Sequence, residues 1–169
     1  MTAREKQTEI IKSYLKPTLK RLGYQNSGQT WWKDKGDFFV VIKLQNFSWN
    51  SKGAVSFCFN TGLLLKATLS DKDKTNPTRS VLAVHLREGF CLPDNRQEHS
   101  HRNSTGYQLN ESTDSLDFTK ELKTDMELHV LPYLEKLNSI RDCLDSFGEL
   151  TFWGENLKRL IRDNNLRVV

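Results

Sequence analysis

The stretch Asp37-Phe-Phe-Val-Val-Ile-Lys-Leu-Gln-Asn-Phe-Ser-Trp49 decides the fold. Phe38, Val40, Ile42 and Leu44 recur at every second position, the period of a strand whose alternate side chains share a face. The positions between them begin apolar at Phe39 and Val41 and turn polar at Lys43 and Gln45. Lys35-Gly36 closes a hairpin back to a strand over 29–34, and Asn50-Ser-Lys-Gly53 turns the chain into a third strand over 54–66. There Val55, Phe57 and Phe59 alternate with Ser56, Cys58 and Asn60. A fourth strand is expected over 81–86 and a short fifth at 107–109. Strands joined by such short turns give an antiparallel meander.

On both sides of this region the period becomes helical. Thr2 and Glu5 have capping-box spacing, and Ile11, Leu15, Leu19 and Leu22 follow at helical steps until Gly23. Pro17 should kink this helix or restart it. From Ser115 on, Phe118, Leu122, Met126, Val130, Tyr133 and Leu137 lie close to one stripe, interrupted by Pro132. Ser139 can cap a further helix bearing Ile140, Cys143, Leu144 and Phe147, and Leu157, Leu160 and Ile161 suggest a last one. The order predicts one α+β domain over 1–169: an antiparallel sheet of four to five strands, with N- and C-terminal helices packed on one face. The other face, carrying Lys43, Gln45, Asn60, His85 and Trp49, is expected to be open to a partner.

Composition narrows the classes. The 169 residues are 37% hydrophobic and 27% charged, with 9 Gly and 4 Pro, which excludes collagen-like and wholly disordered chains. The longest apolar run, Phe38 to Ile42, is too short to span a membrane, and the charged start has no apolar signal core; both suggest a cytoplasmic protein. The net charge of +4 is uneven: residues 111–149 carry ten acidic and four basic groups, at spacings that suit solvated helix faces. The three cysteines contain no Cys-x-x-Cys pair, and Cys58 and Cys143 fit small core residues of a reducing compartment. No nucleotide-binding or nucleophile motif is present, so no cofactor, metal or reaction is indicated. His99-Ser-His101 lacks the further ligands of a zinc site, and the polar stretch 93–106 reads as a surface loop.

The candidate site is a constellation of five residues. On one strand His85 and Arg87 would emerge on the same face about 7 Å apart. Gln45 and Asn60, with Trp49, would join them there. Such a set suits an anion, a carboxylate or a peptide terminus, hence a protein or small-ligand partner, and by analogy with other small intracellular domains an immunity-type or regulatory role would fit. Two other readings are open. Trp31, Trp32 and Trp49 among Lys33, Lys35, Lys43 and Lys52, with the basic N-terminal helix, would suit nucleic acid. An enzyme using His85 as acid or base would need a pocket around that residue.

The chain also resembles an uncharacterised family, domain of unknown function 4304. The likeness runs through Leu15-Lys-Pro-Thr-Leu-Lys-Arg-Leu-Gly-Tyr24, Thr30-Trp-Trp-Lys33, Val41-Ile-Lys-Leu-Gln-Asn46, Phe57-Cys-Phe-Asn-Thr-Gly-Leu63, His85-Leu-Arg87 and Leu131-Pro-Tyr-Leu-Glu135. It covers most of residues 10–147 and implies an α+β fold with no established reaction. The family's His-x-Arg-x-Arg pattern has Gly89 at its last position here, and Gly106-Tyr107 stands where a tryptophan pair is expected.

Overall fold

A computed structural model describes residues Met1–Val169. Helix α1 (Ala3–Ile10) opens on the expected capping box, in which Thr2 Oγ1 accepts the Glu5 N–H at 3.2 Å and the Glu5 carboxylate accepts the Thr2 N–H at 2.7 Å. It passes through one wide, π-type turn, Ile11–Leu15, into α2 (Lys16–Arg21), which contains Pro17. Proline has no N–H to donate up the helix, and the wide turn before it lets the helix continue. Gly23, at φ 91°, then reverses the chain.

Seven strands follow: β1 (Gln25–Ser27), β2 (Thr30–Asp34), β3 (Phe38–Asn46), β4 (Ala54–Leu65), β5 (Val84–Arg87), β6 (Arg102–Asn103) and β7 (Gly106–Asn110). They form one antiparallel sheet in the order β1-β2-β3-β4-β7-β6, with β5 also paired to β4. The strand count thus exceeds the expected four to five. The two extra strands, β1 and β6, have three and two residues, too few for an alternation to show in sequence. The short α3 (Asp71–Thr75) lies between β4 and β5. After β7 come α4 (Ser115–Asp125), a second wide turn at Met126–Val130, α5 (Leu131–Glu135) with Pro132, α6 (Ile140–Phe147) and α7 (Thr151–Asp163). No helix is long and apolar enough to cross a membrane.

The chain divides into two compact units. The first comprises 1–23, 44–59 and 87–133. At its heart Phe57, Phe59, Tyr107 and Phe118 meet ring to ring at 5.8–6.1 Å. The second comprises 24–43, 60–86 and 134–169. There Trp32, Phe39, Val41, Leu64 and Leu82 form a buried cluster, with Leu69 packed against it.

That second cluster changes the expectation of an open sheet face. Trp32 is paired with Val41, so Trp32, Val41 and Phe39 share one side, and Leu69 and Leu82 from the β4–β5 connection cover it. β4 is buried without interruption from Phe57 to Leu65, and β3 from Phe38 to Ile42. Within β3 polar exposure survives only toward the strand's end, at Gln45 and Asn46, while His85 stays exposed on β5.

Gly62 marks how tightly β4 is packed. A methyl group there would collide with the Val84 carbonyl oxygen and lie 2.9 Å from Leu82 Cδ1. Gly62→Ala is therefore expected to lower the unfolding free energy by about 2–3 kcal/mol in urea titration, the usual cost of forcing atoms into a filled core.

Candidate functional site

Of the five residues expected to form a site, Trp49 and Arg87 come together in the first unit. Trp49 sits in the turn after β3, 65% exposed, with its ring stacked on Phe47 at 4.7 Å and 13°. The Arg87 guanidinium lies 5.3 Å from the same Phe47 ring, and one of its nitrogens donates to the Thr105 carbonyl at 3.4 Å. Gln45, two residues before Phe47, is exposed and accepts a long contact from Cys58 Sγ at 3.8 Å. The turn is held by Asn50, whose amide donates to the Ser56 carbonyl at 2.8 Å and accepts the Ser56 N–H at 2.7 Å. The other two residues belong to the second unit. His85 is exposed with its ring 5.9 Å from that of Trp153. Asn60 is only 8% exposed, so the double-sided burial of β4 removes it from any docking surface.

A polar network missed from the sequence lies nearby in the first unit. The 93–106 stretch turns Arg96, His99, His101 and Arg102 inward. Arg96 Nε donates to Asp125 Oδ1 at 2.6 Å, and Arg96 Nη2 to Glu121 at 2.7 Å. His99 Nε2 and the Tyr107 hydroxyl both meet Asp125 Oδ2 at 2.9 Å. His99 Nδ1 accepts the His101 N–H at 3.2 Å, which places the imidazole proton on Nε2, facing Asp125. With both nitrogens engaged by the protein, His99 has none to offer a metal. His101 Nε2 pairs in turn with Asp117 at 2.8 Å.

Asp125 is fully buried, contrary to the expectation that the carboxylates of 111–149 lie on solvated faces. A legible signal existed: Asp117, Glu121 and Asp125 recur at every fourth residue, one face of a helix. Periodicity alone could not tell that His99, His101 and Arg96 would fold back onto that face.

Beside this network sits an incompletely satisfied pair. Glu88 has no exposed surface, and Arg102 is 5% exposed. Arg102 Nη1 donates to the carbonyls of Gln97 and Asn103, while Nη2 stays 3.8 Å from Glu88 Oε1. Neither Glu88 oxygen nor Arg102 Nε finds a hydrogen-bond partner. Burial pushes the Glu88 carboxyl up to about 7. The Arg102 charge and the backbone N–H groups of Glu88 and Phe59 pull the other way, but none reaches the carboxylate at hydrogen-bonding geometry. Burial, reinforced by Glu88, also raises the Cys58 thiol to about 11, which makes it a poor nucleophile near neutral pH.

Residues 15–136 match the family described as Domain of unknown function (DUF4304). The chain belongs to this family. Trp49, Arg87 and the whole network from Glu88 to Asp125 fall inside the matched span, whereas α6 and α7 lie beyond it. No curated protein and no solved structure matches. Where this DUF4304 chain departs from the family pattern, the backbone explains what is present. A Cβ at Gly89 would lie 2.9 Å from Arg102 Nη2, so the bare glycine leaves room for an arginine arriving from β6. Gly106 has φ 142° and its missing Cβ would strike the Phe57 carbonyl oxygen, so a larger residue does not fit this conformation.

Two outcomes follow from these buried groups. Glu88 has a folded pKa of about 7 against 4.5 for the free side chain, so its share of stability is intact below pH 4.5 and lost as pH rises through 7. Linkage puts that loss at about 3 kcal/mol. Glu88→Gln should accordingly flatten the fall in melting temperature between acidic and alkaline buffers, the variant gaining on the parent above neutrality. Asp125→Ala leaves His99 and Tyr107 without their side-chain acceptor and Arg96 with Glu121 alone, and should cost on the order of 3–5 kcal/mol in chemical denaturation.

Proposed function

We propose that this DUF4304 domain is a cytoplasmic binding module that docks a protein partner through Trp49 and Arg87. The observation that carries the reading is Trp49 itself. It is a large aromatic ring 65% exposed, yet stacked on Phe47 in a turn clamped by Asn50. Tryptophan and arginine are the residue types that most often dominate binding energy at protein interfaces. Arg87, exposed against the same Phe47 ring, adds a cation that selects a partner surface presenting a carboxylate. An immunity-type or regulatory role suits a small domain with such a surface. The buried, unpaired thiols of Cys58 and Cys143 support a reducing compartment.

Nucleic-acid binding is the second reading, favoured by the exposed lysines Lys12, Lys16 and Lys20 on the N-terminal helices. Against it, Trp31 and Trp32 are 1% and 6% exposed, so neither can stack on a base.

Affinity capture with the intact chain, followed by titration of the recovered partner, separates the two readings. Trp49→Ala is expected to weaken a protein partner by more than about 2 kcal/mol, and Arg87→Ala by more than about 1 kcal/mol, with the fold unchanged by circular dichroism. Unchanged affinity in both variants rejects the surface. Recovery of nucleic acid whose binding collapses with added salt favours the second reading.

A further inference from the structure

The second unit contains a cavity of about 470 Å³ between the 68–82 connection and helix α7. That volume lies in the range of small-molecule sites. Its chemistry is divided. Leu69, Leu82 and Leu160 supply an apolar lining, and Val81, 90% exposed, stands in the same wall. An aliphatic side chain left so open beside a cavity is surface available to a ligand.

The polar part of the wall carries two arginines, one carboxylate and the neutral groups of Thr68, Ser80 and Asn156. Arg79 is exposed and makes no ion pair. Arg159 donates to Asn156 Oδ1 at 2.7 Å and has Asp163 at 3.6 Å, and Asn156 is in turn anchored on the Ala83 carbonyl at 2.8 Å. Asp73 is the one carboxylate in the lining. Ser80 lines the same space, and its Oγ is buried without a hydrogen-bond partner. An unsatisfied buried hydroxyl costs free energy until something accepts its proton, and a carboxylate oxygen would do so.

We infer that this cavity binds a small carboxylate with an apolar body. The carboxylate is held by Arg79 and the Ser80 hydroxyl with Arg159 adding charge, and the hydrocarbon part lies against Leu160 and Val81. The site is separate from Trp49 and Arg87 and does not depend on the docking reading. One of its walls, the face of α7 bearing Asn156, Arg159 and Leu160, lies outside the matched family span.

Octanoate is the probe, titrated into the intact chain by calorimetry and followed by methyl NMR. The expected result is saturable binding below about 1 mM, with shifts at the Val81 and Leu160 methyls. Acetate, which lacks the apolar body, and octan-1-ol, which lacks the charge, should each bind at least about tenfold more weakly. Arg79→Gln and Ser80→Ala should each weaken octanoate by about tenfold, while thermal denaturation confirms that both variants are folded. The inference is overturned if octanoate fails to saturate, if octan-1-ol binds equally well, or if the shifts fall elsewhere. Equal affinity in both folded variants overturns it as well.

Discussion

A carboxylate buried without surface must gather donors or remain protonated, and Asp125 gathers three. Arg96, His99 and Tyr107 arrive from the 93–106 stretch and from β7, and each ends on one of its two oxygens. Together with the Arg96–Glu121 and His101–Asp117 pairs, this group ties an otherwise irregular stretch of chain to α4. Glu88, a few ångströms from a guanidinium but never in its grasp, is the counter-example in the same unit. One acid is fully solvated by protein and the other is not. Left without hydrogen-bond partners in the interior, Glu88 is pushed toward neutrality.

The two prolines inside helices share a solution. Pro17 and Pro132 each follow a wide turn, Ile11–Leu15 and Met126–Val130, so each helix proceeds despite a missing N–H. The turns are also joined, since the Tyr14 hydroxyl in the first donates to Glu127 in the second at 3.1 Å. Burial and that carboxylate together raise the Tyr14 phenol above its ordinary range, so it stays a donor.

Much of the architecture was legible because apolar period survives translation into structure. The alternation of Phe38 to Leu44 and the stripe from Phe118 to Val130 mark a strand and a helix, and both are buried as their spacing requires. Less legible was which polar residues face inward. Asn60 alternates as a solvent-facing residue should, but Leu69 from the β4–β5 connection and Leu82 from the stretch expected as the fourth strand close that side. The 93–106 stretch failed for the opposite reason. Its composition is that of a loop, and only the carboxylates of α4, remote in sequence, give its histidines and arginines an interior to occupy. Trp49 stood out correctly as an accessible ring, although it projects from a turn and not from the sheet.

The Asn50 clamp has a bearing on rates. By fixing both backbone polar groups of Ser56, it orders the turn carrying Trp49 ahead of the proposed docking. Ordering entropy was incurred at folding, so encounter there proceeds between preformed shapes. Association on such a platform is governed by diffusion and orientation, with no loop closure to wait for.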